Sequence, residues 1–252
     1  MALQNRRQAL LNIAGAAIGV GLSNGALRLG AAESQQPPLR VCMLSGSEEY
    51  KSDESLAAFQ AEVERNYPIK CSRAFATAVD NLLNLDALSS CDVMLLFTRR
   101  LKIDGKQLDA VKEYCLSGRP IVGLRTASHA FENWLDLDRQ VFGGDYRGHY
   151  GSGVFTRISL VETKHPALAG VTPFESSEKL YKNPQLAPDT TLLLRGDRES
   201  HQEPVAWTRI NNGGRVFYTS LGGPSDFKTT QFRKLLINAI FWVAERDERE
   251  QP

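Results

Sequence analysis

The sequence predicts one α/β domain, with a mostly parallel sheet covered on both sides by helices and an antiparallel hairpin extension. Three observations predict it. Short apolar runs alternate with helical periodicity between residues 39 and 124. The run at 92–97 is almost continuously apolar, as a parallel strand buried on both faces requires. Asn211-Asn212-Gly213-Gly214 separates two strand-like runs, a strong hairpin signal.

The elements follow in order. Residues 39–44 form a short apolar strand that ends at Ser45-Gly46. Leu56, Phe59 and Val63 give 53–66 a helical period. A second strand is expected at 69–75, a short helix at 80–88, and the third strand at 92–97. The helix at 104–117 stops at Gly118, a favourable position for a left-handed cap. The fourth strand is 120–124. The second half reads as strands at 153–162 and 190–195, the hairpin of 205–210 and 215–220, and a last helix over 228–246. Ser225 or Asp226 caps that helix near its start. Its buried face carries Phe232, Leu235, Leu236, Ile240 and Phe241.

The N-terminal residues read as an address rather than as fold. Arg6 and Arg7 precede a modest apolar stretch rich in Ala and Gly, and Gly30-Ala31-Ala32 offers a small-residue cleavage site before Glu33. The adjacent arginines point to a twin-arginine signal and a periplasmic or otherwise exported chain. The expected organisation is therefore a signal peptide at 1–32, a linker at 33–38, the domain at 39–246 and a charged tail at 247–252. Residues 1–32 hold three of the 30 basic residues and none of the 29 acidic ones, so the mature chain carries a net −2. Such a chain has no electrostatic reason to seek nucleic acid. No stretch after the leader is long enough for a membrane span. The four cysteines show no metal-binding spacing. Cys42, Cys91 and Cys115 lie in apolar runs and read as free core residues, with Cys71 the exception.

Ligands of open α/β sheets bind beyond the carboxyl ends of the strands. Three loops should converge there: 45–50 after the first strand, 98–100 after the third, and Arg125 to His129 after the fourth. Thr126 or Ser128 beside His129 could form a hydroxyl nucleophile with its base; equally, they serve as helix caps. Next comes Gly143-Gly144-Asp145-Tyr146-Arg147-Gly148-His149, within a segment of five glycines from 143 to 153. Glycines imply tight turns or close backbone approach. Interleaved Tyr146, Arg147 and His149 suit a sugar, held by ring stacking and multidentate hydrogen bonds. His165 precedes Pro166 and reads as a cap. Glu178 and Tyr181 stand three apart, on one face if helical. The glycine-rich loop 221–227 leads through Asp226 into the last helix.

These segments, in this order, resemble the trehalose-utilisation (ThuA-like) family. The matching pieces are Gly123-Leu124, the 143–149 segment, His165-Pro166, Glu178-Lys179-Leu180-Tyr181, 204–209, 214–222 and Asn238-Ala239-Ile240-Phe241-Trp242. The resemblance covers roughly residues 39–244. It implies a flavodoxin-like three-layer sandwich of the class I glutamine amidotransferase-like type and a role in carbohydrate utilisation. Two positions depart from the family pattern. Arg125 stands where relatives often carry a histidine after Gly-Leu, and Gly223 where they often carry one after glycine.

Three functional readings follow. The first is an enzyme acting on a sugar or keto-sugar derivative. His149 and His129 are its candidate acid and base, and Glu178 assists. Arg125, Thr126, Tyr146, Arg147, Tyr181 and Asp226 are its candidate substrate contacts. Convergence of His129, His149 and Glu178 would also furnish a metal site, though their spacing does not establish one and the sequence names no cofactor. The second is a non-catalytic carbohydrate-binding or accessory protein, favoured by the two missing histidines. The third, a true glutamine amidotransferase, is disfavoured because no cysteine stands at the turn after the fourth strand. The expected partner is a small carbohydrate or derivative; a homo-oligomer is compatible with the sequence.

Overall fold

The structure of the protein is a computed structural model that describes residues 36–151 and 153–246. The expected signal peptide, the first half of the linker and the charged tail lie outside the described residues. Ten strands and three α-helices follow in chain order: β1 Leu39–Gly46, α1 Ser52–Asn66, β2 Ile69–Ala78, β3 Asn81–Leu83, β4 Val93–Thr98, α2 Gly105–Leu116, β5 Ile121–Leu124, β6 Thr156–Leu160, β7 Phe174–Ser176, β8 Thr191–Arg198, β9 His201–Asn211, β10 Gly214–Thr219 and α3 Thr230–Val243. All ten strands join one sheet in the order β3-β2-β1-β4-β5-β10-β9-β8-β6-β7.

The expectation of a mostly parallel sheet is corrected here. Four pairings are parallel, β2-β1-β4-β5-β10, and the other five are antiparallel. The sheet is mixed because the second half of the chain lacks crossover helices. Without them consecutive strands can only turn back on their neighbours. β10 is the seam: it lies parallel to β5 and antiparallel to β9.

Alternation along the strands divides the core in two. Val41 and Met43 of β1, with Leu95 and Phe97 of β4, meet α1 and α3. Cys42, Leu44, Met94 and Leu96 point the other way and meet α2. The result is three layers, with helices on both faces. In α2, Leu108, Val111 and Cys115 are buried at helical spacing, and Gly118 just beyond adopts φ 77°, as a left-handed stop requires. The β9–β10 turn places Asn212 at φ 50° and Gly213 at φ 89°, the pair of positive angles that a type I′ hairpin demands. Cys42, Cys91 and Cys115 are buried and free, and Cys71 is free and half-buried. Among the described residues, no helix is long and apolar enough to cross a membrane.

Several local expectations change. Residues 80–88 are not a helix but β3 followed by a one-turn 3-10 helix at Leu85–Ser89. Leu82, Leu85 and Leu88 all feed the same core, and their spacing of three imitates an α-helical period. β9 starts at His201 rather than 205, so His201 lies in a strand, its ring stacked 3.8 Å from that of Tyr150. α3 begins at Thr230, and neither Ser225 nor Asp226 caps it. His165 does cap its short turn, its Nδ1 accepting the Ala167 N–H at 3.2 Å.

Candidate functional site

Three loops leave the carboxyl ends of β1, β4 and β5 on one edge of the sheet. Each contains a cationic residue in the left-handed region: Lys51 at φ 49°, Arg100 at φ 47° and Arg125 at φ 44°. A side chain with a Cβ is disfavoured there by roughly 1–2 kcal/mol, and such strain collects at functional sites. Arg125 is the extreme case, because it follows β5 directly and is wholly buried.

The Arg125 guanidinium packs against two rings, with Cζ 4.2 Å from the Tyr50 centroid and 4.8 Å from that of Tyr181. Its Nη1 donates to the Ser220 carbonyl at 2.8 Å, and its own carbonyl accepts from the Tyr218 hydroxyl at 2.7 Å. Glu178 Oε2 stands 3.3 Å from Nη2. Burial works against the charge, but Tyr181, Tyr50 and Glu178 outweigh it and hold the group protonated.

His129 and Tyr146 form the next layer. Their rings stack 4.5 Å apart at 14°, and Tyr181 tilts against Tyr146 at 4.6 Å. Ser128 Oγ lies 3.0 Å from His129 Nδ1. Burial and then the fields of Arg100, Arg99 and Arg125 push the imidazole down to about 3, so it is neutral at physiological pH. Tyr146 is held from behind by Asp138, whose Oδ2 accepts its N–H at 2.9 Å. Burial raises the Asp138 carboxyl to about 7, despite that bond. The chain passes so close to this carboxyl that a Cβ on Gly144 would fall 2.3 Å from its Oδ1.

Glu178 closes the chamber. Its Oε1 accepts from Ser225 Oγ at 3.1 Å. Its carboxyl presses on Gly223, where a Cβ would lie 1.9 Å from it. Glu178 thus fills the space that a side chain at 223 would need. Asp226 sits behind this loop, accepting from Ser176 Oγ at 2.7 Å and from the N–H groups of Gly222 and Gly223 at 2.8 and 3.1 Å. Its carboxylate braces the loop.

The structure therefore brings Arg125, His129, Tyr146, Glu178 and Tyr181 together. Thr126 lies beneath them, buried, donating to Ser47 Oγ at 3.1 Å. His149 is exposed at the rim; it pairs with Tyr181 through the backbone, and Nδ1 lies 3.1 Å from the Tyr150 carbonyl. Arg147 points outward and pairs with Asp145 at 2.8 Å. Glu178 is an ion-pair partner of Arg125. Among the described residues, no three His, Cys, Asp or Glu side chains cluster to hold a metal ion.

A cavity of about 990 Å³ opens beyond β1, β2 and β4, lined by Ser47, Glu48, Glu49, Asp53 and Arg99 among others. None of the sequence-predicted site residues lines it. Ser47 joins the two places, since it faces the cavity and receives the Thr126 hydroxyl. Sequence reasoning missed Tyr50 and Asp138. Tyr50 closes the 45–50 loop that the strand-end rule singles out. Asp138 carries no local signal, because its role depends on burial.

The trehalose-utilisation (ThuA) family model matches residues 40–243. A putative ThuA-like protein from Bacteroides uniformis superposes with a TM-score of 0.66 at 18% identity, covering 85% of this chain and 94% of that one. One from Parabacteroides merdae gives 0.66 at 17% identity, covering 85% and 93%. A glutamine amidotransferase from Thermotoga maritima gives 0.53 at 10% identity, covering 82% and 99%. At these identities the structures speak for the fold alone. No curated protein matches the chain. The family match spans nearly all of the described residues, and the chain belongs to the ThuA family of trehalose utilisation.

Proposed function

We propose that the chamber and the adjoining cavity bind a sugar or keto-sugar derivative. The observation that carries this is the layering of Tyr50, Tyr181, Tyr146 and His129 around one buried ion pair at the carboxyl edge of the sheet. Aromatic faces stack on the apolar faces of sugar rings, and the enclosed polar groups fix orientation. Membership of a trehalose-utilisation family supports the same substrate class.

Binding without turnover is the favoured form. Arg125 occupies the turn after β5 and cannot act as a base at neutral pH. His129, pushed down to about 3, is a weak base for proton abstraction. A catalytic form of the proposal runs through His149, the histidine open to solvent at the rim. The basic leader makes the periplasm part of the proposal, checked by whether the mature chain recovered there begins at Glu33.

The test is ligand-dependent thermal stabilisation with a panel of disaccharides and 3-keto sugars, in wild type, Tyr146→Ala and His149→Ala. A ligand at 100 times its dissociation constant adds about 2.7 kcal/mol of stability. The expected result is a shift lost in Tyr146→Ala. Turnover abolished in His149→Ala would favour the enzyme. No shift with any sugar would sink the carbohydrate reading.

A further inference from the structure

The unexplained feature of the chamber is one edge of Arg125. Its Nη1 is satisfied by Ser220. Nε and Nη2 are buried and make no hydrogen bond. Among the described residues, Arg125 is the one arginine with both of these nitrogens buried and without such a partner. Nε–H and an Nη2–H point in parallel along one edge of the guanidinium plane. That edge is the fork that takes the two oxygens of a carboxylate. A buried donor left unmade is costly, so a fork whose Nη2 meets only an ion-pair contact and whose Nε meets no acceptor marks a place for one.

The neighbourhood narrows the acceptor. Tyr50 and Tyr181 pack against the guanidinium, with Cζ 4.2 and 4.8 Å from their ring centroids, and restrict the directions from which a group can approach. Glu178 already stands at the mouth, its Oε2 3.3 Å from Nη2, but it makes no hydrogen bond there. It is more open to solvent than its partner, with side-chain exposures of 17% and 1%. Gly223 leaves it the room it occupies. Arg99 and Arg100 act on the same chamber, as their influence on His129 shows. Their own partners, Glu49 at the edge of the cavity and the half-buried Glu132, stand 3.0 and 2.8 Å away.

We propose that the Nε/Nη2 edge of Arg125 is the seat for a carboxylate of the ligand, so that the sugar bound here is an acidic one, an aldonate or uronate. Glu178 occupies the mouth of the seat until the ligand displaces it. This rests on the sugar reading above and adds the charge of the substrate to it.

Titration calorimetry on the full chain tests the seat with glucuronate, its uncharged amide, glucose and malonate. Wild type should bind glucuronate at least about tenfold more tightly than glucuronamide, the value of a charge-assisted hydrogen bond. Arg125→Lys should remove that preference, because an ammonium offers no planar fork. Glu178→Gln should tighten glucuronate, since a competing negative charge is gone. Equal binding of glucuronate and glucuronamide would overturn the seat and leave the sugar reading standing. Malonate binding that depends on Arg125, with no sugar bound, would overturn the sugar reading and keep the seat. No binding by any probe would overturn both. Should Arg125→Lys fail to fold, Glu178→Gln decides alone: an unchanged glucuronate affinity there counts against the seat.

Discussion

The two halves of the sheet on either side of the β5–β10 seam supply opposite chemistry to the same chamber. The half that ends in β5 contributes the cations, Arg99, Arg100 and Arg125, with the neutral His129 among them. The half beyond β10, with the loops that feed it, contributes Glu178, Tyr181 and the brace Asp226. Neither half holds a complete site. The first would leave a buried guanidinium without a counter-charge, and the second a carboxylate with nothing to neutralise. The polar site thus doubles as part of the joint between two styles of sheet.

Breaking that joint should give the largest effect. Glu178→Ala strips the counter-charge from Arg125, and removing one partner of a buried pair costs about 3–5 kcal/mol. Urea unfolding at neutral pH measures it. A loss below about 1 kcal/mol would mean that the halves are not coupled through this pair.

The next effect sharpens the comparison through pH. In the folded chain Asp138 keeps its proton up to about 7, whereas an unfolded aspartate loses it near 3.9. Between those values the folded state binds more protons, so this group makes stability fall as pH rises, by about 1.4 kcal/mol per unit. His129 has the opposite sign. Its folded value of about 3 lies below the ordinary value of about 6.5, so its contribution is present above 6.5 and is lost as pH falls toward 3. From about pH 4 to 6.5 the two slopes oppose each other. Asp138→Asn should unmask a stability that climbs through this range, by roughly 3 kcal/mol. His129→Phe, which keeps a ring against Tyr146, should unmask one that declines. Denaturation midpoints at pH 4.5, 5.5 and 6.5 provide the comparison, and parallel profiles in all three proteins would refute both assignments.

The smallest effect lies within the first half. Thr126→Val removes the hydroxyl that donates to Ser47 and should cost about 1 kcal/mol, read from the same denaturation curves. A loss well beyond that would show the wall between chamber and cavity to be more tightly built than one hydrogen bond implies.

The same division governs what the sequence reveals. Parallel strands buried on both faces must be apolar throughout, so 92–97 and 120–124 declare themselves. In the other half β7 has three residues, too few for any alternation to register. β9 opens with His201, Gln202, Glu203 and Pro204, which look like a loop. Glu203 is buried there only because Tyr150 and Asn183 donate to it. The chamber was half legible. The strand-end rule pointed to Arg125, His129 and the 45–50 loop, and the glycine-rich segment pointed to Tyr146. The sequence suggested that Glu178 assists a histidine, yet it faces Arg125, a partner 53 positions away that only the strand order brings near.

The seam also sets an order of events for the growing chain. The bonds that anchor Arg125 reach Tyr218 and Ser220, 93 and 95 positions later. Contacts that distant close large loops and form slowly. While the ribosome still holds the second half, β5 is an unpaired edge awaiting β10, and unpaired edges invite aggregation. Two small polar anchors made at the end of synthesis thus coincide with the moment the vulnerable edge is sealed.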